Sequence, residues 1–590
     1  MRIGRILLWL FAVIGAGTML CCMAAILIVL HLRVALHEAQ PTPAITVLRL
    51  DLNRSYSEAP ARDSLAGLVQ GTNSTPFVEL VRTLHHAALD PRVKGLVARL
   101  GNTPLGLAQI QDLRDAIKDF RSHGKFAYVF AESLGELGGM RDYYLASAFE
   151  RIWLQPVGTV ALTGVDAEAP FLKGALAKLG ITADFSRRGQ YKSAETELTQ
   201  TAMPASDKQA LAGMAQSLFD QVVNGVAVSR GLTPDQVRKL VDGAPYMAGE
   251  AVIDKLVDVV GYQDEMEDSA RAKAVGARFV NLRTYAASVR ADEPRGRPVV
   301  ALIKASGTIT SGRADDLGST GIAADTLSAA LHAAAVNHQV RAVVLRIDSP
   351  GGSEGASETI WHAVERLRAT GKPVVVSMGD EAASGGYYIA AGADRIVAEP
   401  GTLTGSIGVF GGKFVADGLW PKLGVSWDGV QIGANATIGS INHPFSPSER
   451  ARFEAMLDDS YKGFVSRVAN GRHMSTAAVQ QIAQGHVWTG QQAKDNHLVD
   501  QLGGIDDAVA AAAKLAKIPA NQSVSLVVFP PPHSLIATLR NHLGDLAVTF
   551  LPFAAIDPAE LARVQALLDF LALSSHPAAQ VLAPPIEVSP

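Results

Sequence analysis

An internal repeat constrains this chain more than any other feature, because it dictates two copies of one fold. Val93-Lys94-Gly95-Leu96-Val97-Ala98-Arg99-Leu100 matches Val340-Arg341-Ala342-Val343-Val344-Leu345-Arg346-Ile347. Tyr143-Tyr144-Leu145-Ala146 matches Tyr387-Tyr388-Ile389-Ala390, and Arg151-Ile152 matches Arg395-Ile396. Ala177-Lys178-Leu179-Gly180 aligns with Pro421-Lys422-Leu423-Gly424, and Leu256-Val257-Asp258 returns as Leu498-Val499-Asp500. The halves cover residues 44–288 and 298–530. The charged, proline-broken stretch 289–297 reads as a linker between them.

Within the first half, Ala44–Leu50, Val93–Leu100 and Phe126–Phe130 read as strands. Phe77–Ala88, Leu107–Arg121 and Pro204–Arg230 carry helical patterns, and strands resume at Val299–Ile303. Short strands alternating with helices predict an α/β fold: a tandem repeat of two βαβ domains on largely parallel sheets. The 590 residues suffice for two or three full cores. A formal net charge of −4 with no basic block excludes a nucleic-acid partner. The two cysteines, Cys21 and Cys22, rule out a disulfide framework or a thiolate zinc site in the body of the chain.

Ile6 to Leu30 is uncharged and strongly apolar. At about 1.5 Å per residue this length exceeds a ~30 Å hydrocarbon core, so it predicts a transmembrane anchor over residues 6–32. A cleaved leader has a shorter apolar core and a small-residue exit site. Arg2 and Arg5 precede the run, which favours residues 1–5 on the cytoplasmic side and the bulk outside.

The repeat also exposes what the halves do not share. In Ala383-Ser384-Gly385-Gly386, a serine sits between a strand and a helix, among small residues that let another backbone approach. At the 244-residue spacing separating Tyr143 from Tyr387, Ser384 falls opposite Met140. The glycine pair of Ser349-Pro350-Gly351-Gly352 falls opposite Asn102-Thr103-Pro104-Leu105. Helix capping would be wanted equally in both copies, so one-sided residues favour function. An activated serine needs a base. His362, His443 and His486 are scattered and read as surface or helix residues. Lys192 lies opposite Ala436 at the same spacing, so the lysine is present where the serine is absent and the reverse. A lone lysine is more often a solvated surface residue, but this complementary loss points to a shared site.

Tyr191-Lys192-Ser193-Ala194, Asp348-Ser349-Pro350-Gly351-Gly352, Ala383-Ser384-Gly385-Gly386-Tyr387-Tyr388, Thr404-Gly405-Ser406-Ile407-Gly408-Val409 and Val487-Trp488-Thr489-Gly490 occur in that order along the chain. Together they resemble the signal peptide peptidase A family of membrane-anchored Ser/Lys proteases, in its long, duplicated bacterial form. The resemblance implies a ClpP/crotonase-like fold for each half, with Ser384 as nucleophile and Lys192 as general base. It further implies Gly352 and Gly385 as oxyanion donors, Ser406 as the hydroxyl orienting the lysine, and neither metal nor cofactor. By the same resemblance the protein is a homotetramer in the bacterial inner membrane, its catalytic body periplasmic, cutting remnant signal peptides. The chain departs from the family after Pro530, where residues 531–590 form a Pro-rich, helix-prone tail of open role. Two other readings compete: a crotonase-like acyl-CoA enzyme, which would need a CoA pocket and a catalytic carboxylate, and a catalytically silent membrane scaffold.

Overall fold

The computed structural model describes residues 41–58, 75–135, 139–291, 296–314, 321–529, 580–582 and 588–589. The segments expected to form the cytoplasmic N-terminus and anchor (1–5 and 6–32), and most of the tail 531–590, lie outside these residues. Among the described residues no helix is long and apolar enough to cross a membrane.

Both halves build the same parallel sheet. In the first, the strand order is Val259–Val260, Arg151–Leu154, Phe126–Ala131, Val93–Arg99, Thr46–Asp51, Arg278–Asn281. In the second, the corresponding order is Gln501–Leu502, Arg395–Ala398, Val374–Ala383, Val340–Ser349, Val299–Ser306, Ser525–Val528. The strands read as near-continuous apolar runs because helices cover both faces; Phe126–Ala131 is buried at every position. The repeat reaches single atoms. Tyr143 and Tyr387 each donate a phenol hydrogen bond of 2.9 Å, to the carbonyls of Leu256 and Leu498. Asp258 and Asp500 accept from the backbone N–H of Ile152 and Ile396 and pair with Arg230 and Arg472. Even a register shift recurs, after Thr46 in one sheet and after Val299 in the other.

The stretch expected to be a linker starts inside a helix: Leu282–Ala291 continues three residues into it, carrying Val289 and Arg290. The apolar spacing of Leu282, Tyr285, Ala286 and Val289 keeps this helix on the core as far as Val289.

The halves are locked together by buried polar contacts. Arg346 forms an ion pair of 2.7 Å with Glu58 and also donates to Ser377 Oγ and the Met378 carbonyl. Asp380 accepts from the N–H groups of Ala108 and Gln109, capping helix Leu107–Ser122 of the other half. A further contact is backbone pairing: strand Thr182–Arg188 of the first half runs antiparallel to Val409–Val415 of the second over seven residue pairs. One mixed sheet therefore contains both halves.

Candidate active site

Strand Val374–Ala383 delivers Ser384, and helix Gly385–Ala390 leaves from it. Ser384 has φ 54° and ψ −114°, a positive φ that a non-glycine residue adopts only under constraint. Two backbone bonds hold it there: its N–H donates to the Gly405 carbonyl and its carbonyl accepts from Tyr388, both at 2.8 Å. The hydroxyl makes no capping bond to the helix, so the serine is not serving as a cap. Its counterpart Met140 is fully buried in the core of the first half.

Lys192 arrives from the other half. Strand Thr182–Arg188 ends at Gly189, whose φ of 106° makes the turn. A Cβ there would lie 2.3 Å from the Gln484 backbone, so glycine is required for the turn to dock against the second half. Tyr191 donates to the Gln484 carbonyl, and Gly485 packs against the Lys192 backbone. The equivalent Gly433 keeps a φ of 104° but meets nothing, and Ala436 is exposed.

The two predicted residues meet. Lys192 Nζ is 2.6 Å from Ser384 Oγ, 2.9 Å from Ser406 Oγ and 3.0 Å from the Ser406 carbonyl. All three residues are fully buried. Burial lowers the Lys192 pKa well below the usual lysine value; the carboxylates of Glu195 and Glu381 oppose this but do not reverse it. A neutral amine has two N–H groups and one lone pair. If the Ser406 carbonyl and hydroxyl take the two N–H groups, the lone pair is left for the Ser384 hydroxyl proton. Ser406, like Ser384, has a positive φ, 51°, and its N–H is tied to the His486 carbonyl at 2.7 Å.

Gly351–Ser353 runs beside the serine. A Cβ on Gly385 would lie 3.1 Å from the Gly352 nitrogen and 2.7 Å from Ser357 Oγ, so the two predicted oxyanion donors adjoin each other. Gly352 has φ 154°, and a Cβ there would meet the Ile309 carbonyl at 2.1 Å. Among the described residues no histidine contacts Ser384: His362 and His443 are exposed. His486 is partly buried, stacked on Trp488 with ring centroids 3.7 Å apart.

Sequence reasoning missed the carboxylates around the site. Burial raises Glu381 to about 8, with Asp348 adding to the rise and Lys192 opposing it. Burial likewise raises Glu195 to about 7. The available signal was the acidic pair Asp380-Glu381 interrupting an otherwise apolar strand. Among the described residues no cluster of three His, Cys, Asp or Glu is arranged to hold a metal ion.

Comparison with known proteins places this geometry in context. The family model for "Peptidase family S49" matches residues 119–276 and 366–519. The chain is 36% identical over 453 residues to "Protease 4" of Salmonella typhi, covering 75% of this chain and 72% of that protein. It is 30% identical over 526 residues to "Protease 4" of Haemophilus influenzae, covering 85% and 84%. It is also 30% identical over 472 residues to "Serine protease SPPA, chloroplastic" of Arabidopsis thaliana, covering 78% and 69%.

Proposed function

The chain belongs to peptidase family S49 and is a serine peptidase, and on that premise we propose that it cuts peptides with a Ser/Lys dyad shared between its halves. The 2.6 Å approach of Lys192 Nζ to Ser384 Oγ carries this reading. Neutral Lys192 takes the Ser384 proton as Oγ attacks the scissile carbonyl. The N–H groups of Gly352 and Gly385 hold the resulting oxyanion, each such donor being worth about 3–4 kcal/mol. The Lys192 ammonium then protonates the leaving amine. A water, deprotonated by the same amine, releases the acyl group from Ser384. Neither an acyl-CoA enzyme nor a silent scaffold accounts for a lysine and serine brought together from opposite halves.

The substrates in this reading are remnant signal peptides, apolar and extended, reached by a chain anchored through residues 6–32 in the bacterial inner membrane with its body periplasmic. The apolar run Ile6–Leu30, preceded by Arg2 and Arg5, supports the anchor. Each half we read as a ClpP/crotonase-like unit. Self-association is supported by the repeat. Residues 426–432 and 165–171 are the repeat counterparts of the paired strands Thr182–Arg188 and Val409–Val415. Val430 is 93% exposed and Ile432 89% exposed. Pairing 426–432 of one copy with 165–171 of the next would be head-to-tail, would displace Val588–Ser589 from Asp166–Ala167, and closes a ring where the rotation between copies allows it, which we take as the homotetramer.

A serine-reactive fluorophosphonate should label the wild type but not Ser384→Ala. Lys192→Ala should abolish hydrolysis of an apolar peptide with an unchanged circular-dichroism spectrum. Substantial turnover in that variant would sink the dyad.

A further inference from the structure

Two separate sheet edges flank the serine, and one short strand fills the space between them. On one side lies the ladder Ile322–Ala323, Ile309–Thr310, Gly351–Ser353. On the other lies Val409–Val415 paired with Thr182–Arg188. These elements deliver the reacting groups: Gly352 is within the first edge, Ser406 precedes Val409–Val415, and Lys192 follows Thr182–Arg188. The edges do not pair with each other. Gln580–Leu582 lies between them, antiparallel to both, with Gly351 opposite Leu582, Gly352 opposite Val581, Ser353 opposite Gln580 and Phe410 opposite Gln580.

A slot one strand wide, with unpaired N–H and C=O groups on both walls, accepts an extended peptide by backbone pairing whatever its side chains. In the reading under Proposed function, on which this inference rests, a substrate must lie in this slot, because the oxyanion donor Gly352 is one of its walls. We propose that strand Gln580–Leu582 is an internal occupant of the peptide groove, and that it must leave before a substrate can be cut.

Three observations converge on this. The occupant's backbone lies opposite Gly352 itself. With it in place Ser384, Lys192, Gly351 and Gly352 are all buried, so no peptide bond has access to the hydroxyl. Its sequence, Pro577-Ala578-Ala579-Gln580-Val581-Leu582-Ala583, is uncharged and mostly apolar, the composition expected of the substrate. In sequence it is followed by Pro584-Pro585, and proline has no N–H to donate to a ladder.

An intramolecular occupant lowers apparent substrate affinity by the fraction of time the groove is free. If the slot is filled nine times in ten, apparent KM is about tenfold above its intrinsic value and kcat is unchanged. The test uses the full chain with Val581→Pro, which removes an N–H and fixes φ in the middle of the occupant. KM for an apolar quenched peptide should fall about tenfold with kcat within about twofold. In the Ser384→Ala background, a labelled peptide of residues 577–586 should bind about tenfold more tightly once Val581→Pro is added. Amide exchange at Gly351–Ser353 should be slow in the wild type and fast in Val581→Pro. Unchanged KM, peptide affinity and exchange would overturn the proposal. Absence of turnover in both the wild type and Val581→Pro would instead sink the dyad, and the binding and exchange contrasts would still decide the occupant.

Discussion

Removing the Ser406 hydroxyl isolates what orients the base. Lys192 Nζ has three partners, and Ser406 supplies two: the hydroxyl at 2.9 Å and the carbonyl at 3.0 Å. Ser406→Ala deletes the first and keeps the second. Both residues have a Cβ, so the strain of the φ of 51° is nearly unchanged. The loss is a hydrogen bond in a fully buried site, about 1 kcal/mol if the amine re-pairs and up to about 3 kcal/mol if an N–H stays unsatisfied. At 1.36 kcal/mol per decade, kcat should fall about 5- to 150-fold. KM should stay within about twofold, since the hydroxyl faces the amine rather than the peptide slot. A hydroxyl acceptor favours the ammonium over the amine, so its removal should lower the Lys192 pKa further and shift the acidic limb of the kcat/KM profile to lower pH. Stopped assays on an apolar quenched peptide across pH, with thermal unfolding as control, read all three quantities. An unchanged kcat, or a limb moving to higher pH, would refute the assigned role of Ser406.

Lys192→Met tests the burial of the base through linkage. Below the unfolded lysine pKa of about 10.4, the unfolded chain binds a proton that the folded chain does not until its own depressed pKa is reached. Wild-type stability therefore falls with falling pH across that window. The Tm advantage of Lys192→Met should grow from about pH 10.4 downward and level off below the folded pKa; a pH-independent difference would contradict it. Arg346→Met leaves Glu58 buried without its partner and should cost about 3–5 kcal/mol in urea unfolding, less when combined with Glu58→Gln; a loss below about 1 kcal/mol would show the pair to be dispensable. Val430→Asp with Ile432→Asp should reduce the light-scattering mass of the detergent-solubilised protein toward that of one subunit without loss of secondary structure; an unchanged mass would place the self-association surface elsewhere.

Much of the fold was legible because it is locally encoded. The apolar runs at Val93–Arg99 and Val340–Ser349 and the helix at Leu107–Ser122 follow from periodicity, and their boundaries agree with the structure to within a residue or two. Doubling the pattern made the same strand order in both halves an expectation. The helix Leu282–Ala291 was lost to the charged, proline-broken stretch that overlaps its end. The carboxylates near Lys192 were lost because a charged residue in sequence shows nothing of its burial. Asp380 sits next to Glu381 in the chain, yet it caps a helix of the other half.

The sequence alone determined that there are two copies of one α/β unit, and that Ser384 and Lys192 are each kept in only one of them. Complementary loss identifies a pair but says nothing of distance. Only the tertiary structure decided that the pair meet, because the contact depends on strand Thr182–Arg188 crossing to pair with Val409–Val415, and antiparallel backbone pairing carries no signature in side-chain order. The same physics seats Gln580–Leu582 beside Gly352: open backbone edges select for an extended chain rather than for particular residues, so the slot and its occupant became visible only once the sheets were formed.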